Sequence, residues 1–365
     1  MKGHGGDIFD AGERLGIPAE ELLDFSSNVN SLGPPAQARE ILANSLQVVT
    51  RYPDIESRKL RRHLSDNLGV PPDRILAGNG STELIYLLAR RFAPRRATTF
   101  PPCYLDYWHA SELAGAEVTG YVSTDEENFA LAESALEMGS ETADLVWLCN
   151  PSNPSGTLID RDRIGAAAKT HPDAIFVVDE AFMEFVPDCK ERSLIGTPEP
   201  NVIVIRSLTK FFALAGLRLG FLCADPEVVR HLASVREPWT VNGLAQAVGE
   251  HLYDDQDYIS QTRAVVAEER EFLMRELTAL GGLHPFPSHA NFLLIRLDAP
   301  GLTSAGVKRR LLHQRILIRD ACNFRGLDSR FFRVAVRVRE DNVRLVEALR
   351  QALIPAEGQA ASGAA

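Results

Sequence analysis

Two hydrophobic patterns alternate along most of the chain. Short runs of continuous apolar character, bounded by turn residues, are typical of strands buried on both faces. They occupy residues 74–78, 97–100, 117–122, 145–149, 174–178, 202–205 and 219–223. Stretches of helical period, such as 81–92 and 161–170, lie between them. The alternation predicts an α/β fold with a mostly parallel central sheet flanked by helices.

The pattern changes in the last third of the chain. A long charged stretch of helical period at about 257–280 precedes strand-like runs at 291–297, 315–319 and 331–336, with helical stretches near 303–314 and 340–353. We expect a large domain over residues 50–245 and a smaller α+β domain over 246–354. Residues 1–49 are expected to form an N-terminal arm that joins the small domain, and 355–365 a disordered tail.

Composition and charge exclude several classes of partner. The net charge of −10 argues against a nucleic-acid surface, which needs a basic patch. No apolar run approaches the roughly 18 residues of a membrane span, and the N-terminus has no signal-peptide pattern. The five cysteines are odd in number and dispersed, which favours reduced thiols and a cytoplasmic location. Neither HExxH nor CxxC occurs, so we expect no metal.

One of the few lysines stands out. Lys210 follows an apolar run and precedes Phe211-Phe212-Ala213-Leu214-Ala215. A desolvated amine has a depressed pKa and becomes a nucleophile toward carbonyl groups. A lysine that lays its stem along an apolar strand end is the alternative. The nearby Ser207 and Arg218 favour the nucleophile, because a hydroxyl and a guanidinium beside it suit a phosphorylated aldehyde.

A second segment is typical of a phosphate site. Gly78-Asn79-Gly80-Ser81-Thr82-Glu83 follows a predicted strand and opens a predicted helix, whose free N–H groups attract anions. The segment also resembles the start of a dinucleotide fingerprint, but Glu83 stands where the third glycine should be. A nucleotide-binding module is still an alternative, supported by this segment and by the α/β pattern.

Two polar residues follow predicted strands. Asp179 ends the run 174–178, and ligands of α/β sheets bind at the carboxyl ends of strands. Asn153 lies in Asn150-Pro151-Ser152-Asn153-Pro154-Ser155-Gly156, which also follows a strand. A helix cap for Asp179 and a plain turn for the Asn153 segment are the alternatives.

The order and strand-end positions of these segments resemble the fold-type I pyridoxal-phosphate (PLP) enzymes. Within that family they resemble the group that contains histidinol-phosphate aminotransferases and threonine-phosphate decarboxylases, from about residue 4 to 353. The resemblance implies PLP as the cofactor, bound as a Schiff base by the catalytic Lys210. Asp179 is then the partner of the pyridine nitrogen, Asn153 the donor to O3′, and Tyr104 the ring that stacks on the cofactor.

The resemblance also implies the remaining ligands. Tyr52, in Arg51-Tyr52-Pro53, matches a tyrosine that reaches the neighbouring subunit's cofactor phosphate, which implies a homodimer. The phosphate group is expected to bind Gly80, Ser81, Thr82, Ser207 and Arg218. The substrate, a small anionic phospho-amino acid, is expected to bind His4, Asn30, Asn153, Arg319, Arg333 and Arg337. Which arginine takes the carboxylate and which the phosphate stays open.

Residues 4–6, 23–30, 237–242 and 314–328 are more similar to the decarboxylases than to the aminotransferases. Two positions depart from the aminotransferase pattern: Ser152 replaces the first asparagine of the usual Pro-Asn-Asn-Pro turn, and Phe182 stands where a tyrosine usually bonds O3′. We expect decarboxylation of L-threonine O-3-phosphate to (R)-1-amino-2-propanol O-2-phosphate, a step of cobalamin biosynthesis. The alternative is a histidinol-phosphate or related amino-acid aminotransferase.

Overall fold

The computed structural model describes residues 5–354. The expected tail at 355–365 and His4 lie outside these residues. Within them the strands, in chain order, are β1 (Leu23–Asp24), β2 (Ile75–Gly78), β3 (Arg96–Thr99), β4 (Glu117–Gly120), β5 (Leu145–Cys149), β6 (Ile175–Asp179), β7 (Val202–Ser207), β8 (Gly220–Cys223), β9 (Leu283–Pro285), β10 (Phe292–Leu297), β11 (Ile316–Leu317), β12 (Arg319–Asp320) and β13 (Phe331–Ala335).

Helices cover much of the remaining described chain. They are α1 (Ile8–Leu15), α2 (Ala36–Asn44), α3 (Arg58–Leu68), α4 (Gly80–Phe92), α5 (Leu105–Leu113), α6 (Glu133–Glu141), α7 (Arg161–Thr170), α8 (Cys189–Arg192), α9 (Leu208–Phe211), α10 (Pro226–Val235), α11 (Gly243–Gly249), α12 (Gln256–Ala279), α13 (Ser304–Leu312) and α14 (Arg339–Ala352). Among the described residues, none of these helices is long and apolar enough to cross a membrane.

The large sheet has seven strands in the order β2-β8-β7-β6-β5-β3-β4. All neighbours are parallel except β8, which runs antiparallel to β2 and to β7. Successive side chains of β5 enter different apolar clusters: Leu145 and Trp147 pack with α4 and α5, while Val146 and Leu148 pack with α6 and α7. Burial on both faces explains the continuous apolar runs, and the predicted α/β class is confirmed.

The second sheet is smaller and antiparallel, in the order β12-β13-β10-β9. The N-terminal arm joins this part of the molecule, because β1 pairs with β11 in parallel. Phe25, directly after β1, is fully buried among residues of α12, α14 and the small sheet. Sequence patterns missed β1 and β9, since strands of two or three residues carry no period. The domain boundaries at 49 and 245 stay a prediction.

Candidate active site

A cavity of about 270 Å³ opens where the arm, the large sheet and the small sheet meet. The carboxyl ends of β6 and β7 form its floor, with Asp179 and Ser207 as their last residues. This is the position at which open α/β sheets bind ligands, because loops diverge from the strand ends there. Ser26, Ser27 and Asn28 of the arm line another part of the wall.

Lys210 lies in the single-turn helix α9, three residues after β7 ends, and its side chain lines the cavity. Burial, together with the positive charges of Arg218 and Arg333, lowers the pKa of its amine to about 8, against the attraction of Asp179. The neutral amine is therefore far more populated near neutral pH than in an exposed lysine. A neutral, half-buried amine can attack a carbonyl and can accept a proton.

Asp179 is almost completely buried, and both of its carboxylate oxygens accept a hydrogen bond within the chain. The Tyr107 hydroxyl donates to Oδ2 at 2.7 Å, and the Ala181 amide donates to Oδ1 at 2.9 Å. Burial raises the pKa of the carboxyl to about 6, although both hydrogen bonds lower it. Since the residue also lines the cavity, it offers a charged partner to a cationic ring nitrogen placed there.

A phosphate-sized cradle surrounds the N-terminus of α4. Gly80 has φ +77°, and a Cβ there would lie 2.6 Å from Nη2 of Arg218. A Cβ on Gly220 would lie 2.8 Å from the amide nitrogen of Ser81, so both positions have room only for glycine. The hydroxyls of Ser207 and Thr209 are 2.8 Å apart on the facing wall. Backbone N–H groups, hydroxyls and a guanidinium together suit a phosphate dianion.

Tyr104 and Asn153 line the same cavity. Tyr104 immediately precedes α5, and burial together with the neighbouring Asp106 raises the pKa of its hydroxyl. Asn153 is buried, and its side-chain oxygen accepts a hydrogen bond from Arg333. The side-chain NH₂ group of Asn153 is therefore the part of the amide that can donate a hydrogen bond to a ligand. The aromatic ring and this amide fit the stacking and O3′ roles expected for them.

Arg319 and Arg333 are cross-strand neighbours of the small sheet, aligned in the β12–β13 register. Both side chains are more than nine-tenths buried and line the cavity. Arg333 donates to the Ser26 carbonyl at 2.9 Å, while its Nε has no hydrogen-bond partner among the described residues. Burial lowers the pKa of Arg333, and the charge of Arg319 lowers it further. Two like charges paired in this way favour an anionic ligand between them.

Two of the expected substrate ligands, Asn30 and Arg337, are not among the residues that line the cavity, and their role toward substrate stays a prediction. The Asn30 amide is buried behind Lys210 and donates to the Phe211 carbonyl, with Tyr258 and Thr262 also in hydrogen-bond range. Arg337 pairs with Asp341 at 2.9 Å and bonds the Asp24 carbonyl. Both side chains already have partners inside the protein, so they position the arm.

Tyr52 is 78% exposed and lies away from the cavity lining of its own chain. Its ring stacks on Trp239 with centroids 4.7 Å apart. Its expected role needs a neighbouring subunit and stays a prediction.

The cavity lining includes residues that the sequence patterns did not single out, among them Asn28, Tyr107 and Thr209. Thr209 stands two residues after Ser207 in the same segment, and that spacing was a usable signal. For Asn28 no such signal existed, because Asn28 and Asn30 lie two positions apart in the arm and only its path decides which of them faces the cavity.

Comparison with known proteins gives the class. The family model for aminotransferase class I and II matches residues 20–349. The chain belongs to that family.

Individual members of this family are also similar to this chain. A threonine-phosphate decarboxylase of Salmonella typhimurium is 38% identical over 355 residues, which cover 96% of this chain and 96% of that protein. The adenosylcobalamin biosynthesis bifunctional protein CobDQ of Leptospira interrogans is 31% identical across 94% of this chain and 40% of its own length. A histidinol-phosphate aminotransferase structure from Clostridium acetobutylicum superposes with a TM-score of 0.85 at 29% identity, covering 91% of this chain and 99% of that one. Decarboxylases and aminotransferases thus share this fold, and the site must distinguish them.

Proposed function

We propose that this chain is a PLP-dependent decarboxylase that converts L-threonine O-3-phosphate to (R)-1-amino-2-propanol O-2-phosphate, in cobalamin biosynthesis. The activities named for the Salmonella and Leptospira relatives support the reaction and its place. The observation that carries the proposal is the pair of buried guanidinium groups, Arg319 and Arg333, opposite Lys210 in one cavity. A substrate with a carboxylate and a phosphate carries two anionic groups that these two guanidinium groups can bind.

The cavity residues fit PLP. The glycine-lined cradle of Gly80, Ser81, Ser207 and Arg218 would hold its phosphate, Asp179 its ring nitrogen, Tyr104 its ring face and Asn153 its O3′. When bound, PLP supplies an electron sink for a bond broken at the substrate's Cα.

The chain's own residues decide which bond is broken. A bond to Cα is weakened when it stands perpendicular to the electron sink, so the anchoring of the substrate's two anionic ends selects either the carboxylate or the hydrogen. Arg319 and Arg333 provide those anchors from the small sheet, and the Ser26–Asn28 segment closes the cavity beside them. The Nζ of Lys210, in the cavity lining, is a group that can return a proton to Cα after CO₂ leaves.

The runner-up is a histidinol-phosphate or related aminotransferase. The position that distinguishes the two, Phe182, lines the cavity and packs edge-on against Phe292 at 5.0 Å. A phenylalanine there leaves O3′ without the hydroxyl that the resemblance to aminotransferases leads us to expect. This absence supports the decarboxylase.

A product assay tests the proposal. PLP-loaded protein is mixed with L-threonine O-3-phosphate without any keto acid, and released CO₂ and the amino-alcohol phosphate are quantified. We expect at least one CO₂ per subunit and catalytic turnover. Amino transfer that depends on 2-oxoglutarate, without CO₂ release, would show that the aminotransferase alternative is correct.

We also propose that the protein is a homodimer in which Tyr52 completes the neighbouring site. Exposed apolar side chains support this: Leu46, Val49, Tyr52, Ile55 and Trp239 are 46–78% exposed and lie in nearby segments. Such side chains, together with the stacked Tyr52–Trp239 rings, are typical of a subunit interface. A cytoplasmic location is consistent with the five cysteines, which are all free.

Mixed dimers test the contribution of Tyr52. Lys210→Ala and Tyr52→Ala chains are each nearly inactive as homodimers if Tyr52 acts on the partner's site. In the mixed dimer, one site then combines an intact Lys210 with an intact Tyr52 from the other chain. Co-refolding should therefore restore about a quarter of wild-type activity in a statistical mixture. No restoration, or a monomer by light scattering, would contradict the proposal.

A further inference from the structure

A single buried tyrosine controls the surroundings of Asp179. Tyr107 lies on α5 and is fully buried, and its hydroxyl donates to Oδ2 of Asp179 at 2.7 Å across 72 positions of sequence. Among the residues that the structure describes, the Asp179 carboxylate accepts two hydrogen bonds, and the other one comes from the Ala181 backbone amide. The phenol is thus the one side-chain hydrogen bond on this carboxylate among the described residues.

The phenol is held in place by its own packing. The ring of Tyr107 stacks on Trp147 with centroids 5.3 Å apart and an interplanar angle of 7°. The Trp147 indole in turn donates to the hydroxyl of Ser111 at 3.0 Å, and Ser111 lies one helical turn after Tyr107 on α5. The stacked rings and the second hydrogen bond fix the direction in which the Tyr107 hydroxyl points.

The Tyr107 phenol stays protonated near neutral pH and is therefore a hydrogen-bond donor there. Burial and the charge of Asp179 raise the pKa of Tyr107 well above its ordinary value, so its proton stays on the phenol. Other groups that act on the charge of this carboxylate are the Cys149 thiol, whose pKa burial also raises, the Lys210 amine and, through space, the Glu180 carboxylate of the neighbouring cluster. A donated hydrogen bond stabilises the ionised carboxylate and therefore lowers the pKa of Asp179.

We propose that Tyr107 is a positioning residue that holds Asp179 ionised and aimed into the cavity, and so sets the protonation of the cofactor's ring nitrogen. This inference rests on the proposed function for its cofactor part. The effect of Tyr107 on the protonation of Asp179 involves only residues of this chain and can be measured without cofactor. An ionised Asp179 keeps a proton on the ring nitrogen, whereas a neutral Asp179 does not.

The decisive experiment is a titration of the cofactor-free protein labelled with ¹³C at aspartate carboxyl carbons, with the Asp179 signal assigned from Asp179→Asn. Tyr107→Phe keeps the ring and its stacking but removes the donor. We expect the protonation constant of Asp179 to rise about tenfold, the size of one hydrogen bond to a charged group. Tyr121→Phe, which removes a phenol that bonds the Met138 carbonyl far from Asp179, is the matched control and should change nothing.

A second variant guards against misfolding of Tyr107→Phe. Placing 3-fluorotyrosine at position 107 preserves the shape and strengthens the donor, so the Asp179 protonation constant should fall. An unchanged Asp179 titration in both variants, with the fold intact by near-UV circular dichroism, would overturn the inference.

The PLP-loaded protein gives the remaining readout. In Tyr107→Phe the visible absorbance of the bound cofactor should change with pH at a higher midpoint than in the wild type, and kcat should fall more than KM rises. If the wild-type protein binds no PLP, the proposed function fails, while the cofactor-free titration still decides whether Tyr107 acts on Asp179.

Discussion

Two buried clusters of charge lie side by side at the ends of β6 and β7, and they are built in opposite ways. Asp179 and Ser207 face the cavity, while their sequence neighbours Glu180 and Arg206 turn into a separate cluster. In that second cluster Arg206 pairs with Glu180 at 2.8 Å and with Glu184 at 2.6 Å.

The second cluster is internally satisfied. Ser193 and the Leu194 amide donate to Glu180, and Tyr253 donates to Glu184. Arg263 adds a second cation beside Glu184 at 3.4 Å. Its charges balance and its polar atoms are paired, which is what a purely structural buried network requires.

The cavity is unbalanced instead. Its charged lining consists of Lys210, Arg218, Arg319 and Arg333 against the single carboxylate of Asp179. A cleft lined mainly by positive charge attracts an anionic ligand. The balance of charge, and not burial alone, distinguishes the structural network from the binding site. The variants below change either the structural network around Arg206 or the cavity.

The largest effect is expected at Lys210. Lys210→Ala removes the cavity's nucleophile and proton carrier, so decarboxylation should fall by about four orders of magnitude. The visible absorbance of bound PLP should disappear as well. Steady-state CO₂ assays and absorbance spectra measure both, with the exposed Lys169→Ala on α7 as the control. A variant that stays yellow and fully active would end the PLP proposal.

Arg206→Met should cost about 3–5 kcal/mol of unfolding free energy, because it removes the cation that two buried carboxylates share and leaves Glu180 without an ion-pair partner. Urea denaturation measures this directly. The control is Arg192→Met, which breaks an exposed ion pair with Asp188 and should cost less than about 1 kcal/mol. Equal losses in the two variants would mean that the Arg206 cluster is not the structural network described above.

In contrast to Arg206→Met, Arg333→Met should weaken substrate binding without lowering the stability of the fold. Loss of a charge-assisted anchor should raise KM for the phosphorylated substrate about 100-fold. Stability should stay unchanged or rise by about 1–2 kcal/mol, because a buried charge without an ionic partner is removed. Kinetics and urea denaturation on the same preparation test both halves. A large loss of stability would place Arg333 with the structural network.

The pH dependence of cofactor binding tests the charge imbalance itself. Because the pKa of Lys210 is lowered to about 8, the neutral amine is half-populated near pH 8 and levels off about one to two pH units above that. The rate at which the cofactor-free protein captures PLP should follow this curve in stopped-flow absorbance. In Arg333→Met one repelling cation is gone, so the Lys210 pKa should rise and the plateau should move to higher pH. An unmoved plateau would show that Arg333 does not act on Lys210.

The smallest effect is expected from Phe182→Tyr. The new hydroxyl enters a packed position against Phe292 and should lower decarboxylation less than about tenfold. It should also raise the ratio of amino transfer to CO₂ release, measured with 2-oxoglutarate present. A constant ratio would remove Phe182 as the residue that separates the two activities.

Local sequence signals predicted a large part of this molecule. The seven strands of the large sheet were predicted from short runs bounded by turn residues, and the central ones are continuously apolar because they are buried on both faces, whereas the edge strand β4 is partly exposed. Lys210, Asp179 and the Gly80 segment were predicted because each follows such a strand directly, so its position on the sheet edge is fixed by the chain. The contribution of the arm to the cavity was harder to predict. Asn28 and Asn30 are two positions apart in the sequence, and of the two only Asn28 lines the cavity.

The sequence by itself determined which residues end the strands of the large sheet, and hence the lysine, the carboxylate and the phosphate cradle. Only the tertiary structure decided the pairings between distant segments. The Arg319–Arg333 alignment depends on the register of β12 against β13, and the Tyr107–Asp179 hydrogen bond depends on how α5 packs on the sheet. Strand ends are set by local patterns of neighbouring residues, whereas register and helix docking are set by the packing of the whole core.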